Sequence, residues 1–454
     1  MNDLPNYFLV DMPSDAPLEP KLVEAACDAL KENQRRFLLD RSTESLITTL
    51  SRLAERWLDP EYEFRNYCLE HGPKQLGFSR PTLELGMDQL FREMTGENLQ
   101  FLIEQDLGHW KRFDTPVGTK KEGLRNRSAM AHGPSLIGHI GAGRIPNSTI
   151  MSLVTGFLVR SSQFFKCSQK AVFFPRLFAH SLYDMEPKLA ACLEIAAWPG
   201  GTEALELPLF QKADAISFLG SDKSLASALE RIPKQTSVHQ HGNKVSFAYI
   251  SRDSMTHFNA KTIAESLALD IAAWDQSGCL SPHLAYVEKR GSVSPDHLAS
   301  LVAEALEALE ATRPRGEISS QEAARIRAQR SAFEIRAAHS KDTLLWQSDE
   351  STAWTVVYED GALFNLSCLN RFFYIKSVDS LEEALAGAEI IRESISTIGV
   401  SLSEEESQGV VAHLARWGAN RICPLGQMQT PHLSWRHDGR PSLADYVRWT
   451  DWEI

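Results

Sequence analysis

Apolar residues recur at helical spacing early in the chain. Leu22, Ala26, Leu30 and Phe37 form one run, and Leu46, Leu50, Leu53 and Trp57 form another. Residues 19–114 therefore read as helical. Ser79-Arg80-Pro81 marks a helix start, because proline's missing N–H is no loss in a first turn. Lys120 to Ser128 reads as a basic, polar link to the strand-like segment Ser135 to Ile140. Beyond it the pattern alternates. Helices are expected over Thr149 to Ser161, Phe174 to Asp184, Gly200 to Phe210 and Ser224 to Arg231. Strands are expected over Gln163 to Lys166, Leu193 to Trp198, Ala215 to Leu219 and Val245 to Ile250. Strands alternating with helices predict a parallel sheet covered on both faces.

A second alternating block follows Asp253. Asn259 to Ala272, Pro295 to Leu309, Ser319 to Ala338 and Ser380 to Ser394 read as helices. Leu284 to Val287 and Phe372 to Ile375 read as strands, and Leu344 to Tyr358 alternates like an antiparallel or edge strand. The tail from Asn420 holds Trp435, Trp449 and Trp452, too aromatic for a disordered segment. The fold class is α/β. The expected division is 1–114, mainly helical, then 115–253 and 254–419, each α/β, and 420–454, a tail.

Bulk properties narrow the function. The chain has 454 residues, 43% hydrophobic and 23% charged, with a net charge of -12. An acidic chain has no electrostatic reason to bind nucleic acid. Its apolar stretches fall short of a membrane span, and residues 1–20 lack the basic head and apolar body of a signal peptide. The seven cysteines, Cys27, Cys68, Cys167, Cys192, Cys279, Cys368 and Cys423, are odd in number and never in C-x-x-C spacing. That excludes a disulfide framework as the default and points to a reducing cytoplasm, with no metal expected.

Three segments carry chemistry. Gly143-Arg144-Ile145-Pro146-Asn147 precedes a helix and then Phe165-Lys166-Cys167-Ser168-Gln169. A glycine-bearing turn and a strand ending in Lys and Ser suit a nucleotide site. A lone lysine after a strand is more often simply solvated. Phe218-Leu219-Gly220-Ser221-Asp222 ends another strand, where ligands of parallel sheets bind; the plainer reading is a turn with a helix cap. Gln276-Ser277-Gly278-Cys279-Leu280-Ser281-Pro282 sets a cysteine in a loop of small residues between a helix and a strand. A thiolate there can attack a thioester, with the Cys279 N–H donating to the oxyanion; a buried structural cysteine is the plainer alternative. Smaller signals weigh less. His239 and His241 form an H-x-H without nearby partners in sequence, His437-Asp438 reads as a turn, and Gln321 to Arg330 reads as a solvated charged face.

Taken in order, the segments resemble the LuxC-type acyl-CoA reductase family, relatives of the aldehyde dehydrogenases. The resemblance runs from about residue 85 onward. It is carried by His139-Ile140-Gly141-Ala142-Gly143-Arg144-Ile145-Pro146, Phe165-Lys166-Cys167-Ser168, Trp198-Pro199-Gly200-Gly201, Gly278-Cys279-Leu280-Ser281-Pro282 and Ser434-Trp435-Arg436-His437-Asp438-Gly439. It implies an aldehyde-dehydrogenase-like fold, with 1–114 and 115–253 as the helical and α/β parts of a Rossmann-type cofactor domain, 254–419 as an α/β catalytic domain, and 420–454 as a tail returning to the cofactor domain or to an oligomer interface. It also implies NADPH-dependent reduction of a long-chain fatty acyl thioester, acyl-CoA or acyl-carrier, to the aldehyde. Cys279 matches the acyl-accepting cysteine. Lys166 and Ser168 match positions that hold the adenosine ribose and its phosphate, and Gly220 and Ser221 match the turn near the pyrophosphate. Gly200 and Gly242 belong to the same implied cofactor set. Such reductases often work beside an acyl-protein synthetase, and a homo-oligomer is expected.

Three departures refine the expectation. The stretch His239 to Lys244 matches the Glu-Leu-Gly-Gly-Lys motif of hydrolysing relatives but has no glutamate. Without that base a thioacyl intermediate is less readily lost to water. Gln169 stands where NAD-selective relatives have glutamate, which removes a carboxylate that would repel a 2′-phosphate. Arg144 stands where the family usually has an oxyanion-holding asparagine, with Asn147 as a substitute donor. Two other readings remain: an oxidative aldehyde dehydrogenase, and a non-catalytic scaffold that binds an acyl-activating partner.

Overall fold

The structure is a computed structural model describing residues 4–13, 15–141 and 143–453, with the backbone alone at residue 222. Residues 1–3 at the head of the first helical segment, Ala142 of the glycine-bearing turn and Ile454 at the end of the tail lie outside the described residues. The chain separates into two compact units. The first comprises 1–76, 87–243 and 432–454, and the second comprises 77–86 and 244–431. Among the described residues, no helix is long and apolar enough to cross a membrane.

The periodic N-terminal segments are helices: Pro20–Asn33, Thr43–Leu58, Glu63–Leu76, Arg80–Glu93 and Gly96–Leu107. In the helix Thr43–Leu58 the side chains at Leu46, Leu50, Leu53 and Trp57 are buried, as one apolar face requires. Ser42 caps it by accepting from the Ser45 N–H. The polar link is a short helix, Lys120–Gly123, followed by strand β1 (Arg127–His132), which the basic composition concealed.

Strands β2 (Leu136–Ile140), β3 (Ser162–Cys167), β4 (Leu193–Ala197), β5 (Ala215–Leu219) and β6 (Ser237–His241) form a sheet in the order β4-β3-β2-β5-β6. Every pairing is parallel. The chain runs outward from β2 to β4, then restarts on the other side of β2 at β5. A topological switch point therefore lies between β2 and β5. All residues of β2 and β3 are buried, as a sheet covered on both faces requires, although β3 carries the polar Ser162, Gln163 and Lys166.

The second unit holds β7 (Val245–Ile250), β8 (Pro282–Glu288), β9 (Thr343–Gln347), β10 (Thr355–Asp360), β11 (Phe372–Val378), β12 (Ile395–Ser401) and β13 (Arg421–Pro424), in the order β13-β12-β7-β8-β11-β10-β9. Only β9 pairs antiparallel. Alternate residues serve opposite faces: Ala248, Ala285, Phe373 and Ile375 enter one core, and Phe247, Leu284, Phe372 and Tyr374 the other. The alternating stretch Leu344 to Tyr358 is two strands, β9 and β10, because Asp349 to Ser351 breaks it with a polar turn. The expected helix Ser380 to Ser394 is also two pieces, Leu381–Gly387 and a tighter turn Glu389–Ser394. Arg330, read as part of a solvated face, points inward instead. Its Nε donates to Thr355 Oγ1 at 2.9 Å and its guanidinium to the Trp354 carbonyl at 2.6 Å.

The tail ends in β14 (Arg448–Glu453), which pairs antiparallel with β1 in the first unit. Every residue of β14 is exposed, including Trp449 and Trp452. These two tryptophans do not pack into a core.

Candidate active site

In the first unit the sequence-singled residues fall just past the carboxyl ends of successive strands. Gly141 follows β2, Ser168 and Gln169 follow β3, Gly200 lies after β4, Gly220 and Ser221 follow β5, and Gly242 follows β6. A small cleft opens at this edge. It is lined by Gly141, Gly143, Ser148, Phe165, Ser168 and Leu219, among others. It sits at the ends of β2, β3 and β5, the switch point where open parallel sheets bind ligands. The Gly141 N–H donates to the Lys166 carbonyl at 2.8 Å, which ties the turn to β3. A Cβ at Gly141 would fall 2.5 Å from the Phe165 ring, so that position tolerates only glycine without rearrangement. Gly143 has φ +87° and nothing near its missing side chain. The helix Pro146–Leu158 starts directly after this turn, with Pro146 in its first turn. Such an N-terminus favours anions.

Lys166 is not the solvated lysine that the isolated motif favours. It is 3% exposed, and burial lowers its pKa while the charge of Glu206 opposes that effect. Gln169 is exposed, and Ser168 is half-buried on the cleft wall. Ser221 caps the helix Asp222–Leu229 by accepting from the Ser224 N–H. The Gly220 N–H reaches the His241 carbonyl at 3.4 Å. Arg144 and Asn147 both belong to this unit, half-buried in the turn and in the first turn of the following helix. Glu206 was not singled out by sequence. It accepts from the Gly201 N–H at 2.9 Å and pairs with Arg231 at 2.7 Å, fixing the turn after β4. No motif marked it, and its ion-pair partner Arg231 lies 25 residues on.

The histidines of the H-x-H motif part company. His239 stacks on Tyr446 with centroids 3.9 Å apart, and burial pushes its pKa down to about 4. His241 Nδ1 meets Asp438 Oδ2 at 2.8 Å and stacks on His437 at 4.7 Å with 13° between planes. This trio comes together from the H-x-H strand and the His437-Asp438 turn. Imidazole lone pairs lie in the ring planes, so two stacked, nearly parallel rings do not aim at one ion.

The second unit carries Cys279, between the turn Ala273–Gln276 and β8. Cys279 is exposed, whereas Cys368 is half-buried and the other five cysteines are buried. Burial pushes Cys27, Cys68 and Cys167 up to about 12, and Cys192, Cys368 and Cys423 up to about 11. Thiols so raised are poor nucleophiles near neutrality. The loop itself is tied on several sides. Ser246 Oγ donates to the Cys279 carbonyl at 2.7 Å, and the Ser281 N–H donates to the Gly278 carbonyl at 3.0 Å. Gln276 Nε2 donates to the Pro282 carbonyl at 2.9 Å, and Gln429 Nε2 donates to Ser281 Oγ at 2.5 Å.

Before the loop, Trp274, Asp275 and Gln276 all have left-handed backbone, with φ of 50°, 49° and 64°. Each such non-glycine residue costs roughly 1–2 kcal/mol. A second left-handed run, Leu369 to Arg371, faces the first: the Asn370 N–H donates to the Asp275 carbonyl at 3.1 Å. Arg371, 0% exposed, holds Asp275 through Nε at 2.9 Å and Glu310 at 2.9 Å. The Trp274 ring occupies the place of a side chain on Gly86, where a Cβ would fall 2.1 Å from it. Ser246, Gln429 and Arg371 were invisible to motif reading, since each is a single polar residue far along the chain from Cys279.

Comparison with known proteins gives a consistent result. The profile of the family described as acyl-CoA reductase (LuxC) matches residues 38–449. The chain is 23% identical over 420 residues to a long-chain acyl-protein thioester reductase of Photorhabdus laumondii, covering 90% of this chain and 82% of that one. It is 21% identical over 428 residues to a protein of the same description from Vibrio harveyi, covering 92% and 84%. Among solved structures it is similar to a putative aldehyde dehydrogenase from Anabaena variabilis, with a TM-score of 0.67, 16% identity, and 97% and 94% of the chains covered. It is also similar to an NAD-dependent benzaldehyde dehydrogenase from Corynebacterium glutamicum, with a TM-score of 0.68, 14% identity, and 99% and 94% covered. At these identities the solved structures establish the fold: it is that of the aldehyde dehydrogenases.

Proposed function

The chain belongs to the acyl-CoA reductase (LuxC) family, and from that premise we propose that it reduces a long-chain fatty acyl thioester to the aldehyde, with Cys279 as acyl acceptor and NADPH as cofactor. The observation that carries the reading is the contrast among the thiols: one is exposed on a tied loop, one is half-buried and the other five are buried. The Cys279 thiolate attacks the thioester carbonyl. The C–S bond to the donor breaks, the donor thiol leaves with a proton, and a new thioester forms on Cys279. We assign the Cys279 N–H, on the nucleophile itself, as a donor to the oxyanion. The stretch His239 to Lys244 holds no glutamate to activate water, so the acyl group stays on the enzyme.

The first unit suits a dinucleotide. Its cleft lies at a switch point, its turn is kept bare by Gly141 and Gly143, and a helix starts beside it. Lys166, Ser168 and Gln169 would hold the adenosine ribose and its phosphate, and Gly200, Gly220, Ser221 and Gly242 would let the backbone approach the rest. A bound reduced nicotinamide supplies the hydride that releases the acyl group as aldehyde. The first unit is thus read as the cofactor domain and the second as the catalytic one. Acyl-CoA or an acyl-carrier thioester is the donor, and an acyl-protein synthetase is the assigned partner. The exposed Trp449 and Trp452 on β14 support a homo-oligomer. A reducing cytoplasm would keep the exposed thiol reduced.

The test is a paired incubation of wild type and Cys279→Ala with radiolabelled long-chain acyl-CoA, followed before and after adding NADPH. Label is expected on wild type alone, discharged as aldehyde on NADPH addition. Wild type that takes no label from acyl-CoA of several lengths or from an acylated carrier would sink the reading. Equal label on Cys279→Ala would move the acyl acceptor elsewhere.

A further inference from the structure

Ser246 is the second residue of β7 and is 0% exposed. The sheet is irregular on both sides of it. Val245 pairs with Ile395 and Phe247 with Ile398, so two steps along β7 match three along β12. Ser246 pairs with Pro282 and Ala248 with Ala285, so two steps again match three along β8. Each neighbour thus carries an extra residue opposite the same point of β7. A bulge leaves backbone groups without ladder partners, and it re-aims the residues beyond it.

The Ser246 hydroxyl takes up one such group on each side. It accepts from the Thr397 N–H at 3.1 Å and donates to the Cys279 carbonyl at 2.7 Å. A hydroxyl can do both at once, because it offers one donor and two acceptor lone pairs. The Cys279 carbonyl direction sets ψ at Cys279. With the Ser281 and Gln276 ties around it, that torsion fixes where the thiol leaves the loop. We propose that Ser246 is a positioning residue for the Cys279 nucleophile, bridging paired strand irregularities so that the thiol is presented in one orientation. This rests on the reading of Cys279 as acyl acceptor.

The test compares Ser246→Ala and Ser246→Thr with wild type, and with Ser396→Ala as a control in the same bulge, where Ser396 is 0% exposed. Three quantities are read: the single-turnover rate of acyl transfer from long-chain acyl-CoA, the pH profile of Cys279 alkylation by iodoacetamide assigned by peptide mass, and the thermal midpoint. Ser246→Ala is expected to slow acyl transfer by roughly ten- to a hundredfold, as small misplacements of a reacting group do. Its alkylation profile should shift while its midpoint stays near wild type. Ser246→Thr, which keeps the hydroxyl, should recover most of both, and Ser396→Ala should match wild type. Should Ser246→Ala fail to fold, Ser246→Cys, a near-isosteric weaker donor, is expected to give a smaller slowing in the same direction. Unchanged acyl transfer and alkylation in a folded Ser246→Ala or Ser246→Cys would overturn the proposal. If wild type accepts no acyl group yet Cys279 alkylation still depends on Ser246, the acyl-acceptor reading fails while the positioning role stands.

Discussion

Around the cleft of the first unit, left-handed backbone falls on glycine: Gly143 at φ +87° and Gly201 at φ +82°, both facing open space. Beside the cysteine loop of the second unit it falls on Trp274, Asp275 and Gln276 and on the run Leu369, Asn370 and Arg371 that faces them, all with side chains to place. The cleft lies at the carboxyl ends of its strands, whereas Cys279 sits where β8 begins and is held from the start of β7. Glycine is the low-strain route to left-handed backbone, and it leaves the space beside the chain empty for a ligand. Non-glycine residues accept strain there, and the second unit offsets it with buried ion pairs and hydrogen bonds. One region is built to admit something, and the other is built to hold one side chain still.

The contrast breaks hardest at Arg371. It is wholly buried between Asp275 and Glu310 and also donates to the Arg313 carbonyl at 3.0 Å. Arg371→Met removes the guanidinium that both carboxylates bond directly, with Arg315 still nearby, so it is expected to lower stability by about 3–5 kcal/mol. Urea denaturation followed by tryptophan fluorescence reads this directly. Adding Asp275→Asn should recover part of the loss, because the two residues share one network. A loss under about 1 kcal/mol would mean that the left-handed runs stand without the pair. Comparable truncation at the first unit's cleft, Ser168→Ala, should scarcely change stability.

The same contrast governs what was legible in sequence. The cleft residues announced themselves, because glycine, lysine and serine fall at strand ends in short, contiguous motifs. The parallel alternation was legible because short strand-like segments such as β2 alternate with amphipathic helices, although buried β3 carries Ser162, Gln163 and Lys166. β6 was harder to see, since its Ser237, His239 and His241 are polar, and β13 is four residues long. β12 was not read as a strand; it begins directly where the expected helix Ser380 to Ser394 ends. The supports of Cys279 left no local signature. Ser246, Gln429 and Arg371 act across tens to more than a hundred and forty residues of chain, and one polar residue in a strand or loop looks like any other.

A smaller effect tests whether the tied loop is also sensitive to acid. His283, the second residue of β8, accepts at Nδ1 from the Ser367 N–H at 3.0 Å, and desolvation pushes its pKa down to about 4. Between pH 6.5 and 4 the unfolded chain binds the proton that the folded histidine refuses. Stability contributed by neutral His283 is therefore complete above pH 6.5 and lost as pH falls toward 4, by at most about 3 kcal/mol. His283→Asn keeps an acceptor near the same place and does not titrate. The stability difference between the two proteins should be flat above pH 7 and tilt against wild type below pH 6. Parallel curves across that range would remove His283 as the cause. In the first unit His139, held by Gln163 at 2.9 Å and likewise pushed down to about 4, should show the same sign, so acid does not separate the two regions.

The smallest effect belongs to the cleft, where a surface charge should change binding and leave the fold alone. Gln169 is exposed just past β3, beside Ser168 on the cleft wall. Placing a carboxylate there with Gln169→Glu sets a negative charge against the 2′-phosphate that the proposed cofactor carries. The charge is solvated, so the repulsion is modest, and NADPH affinity relative to NADH should fall about tenfold, or about 1.4 kcal/mol. Because exposed charges are screened, the penalty should shrink as salt is raised from 0.05 to 0.5 M, on the order of the Debye length falling below the charge separation. Equilibrium titration of cofactor fluorescence measures both quantities without relying on turnover, and thermal melting of the free protein should be unchanged. An unaltered preference at every salt concentration would place the ribose phosphate away from Gln169. A large loss of stability would instead mean that this edge of the cleft is as tightly built as the cysteine loop, and the distinction between the two regions would fall with it.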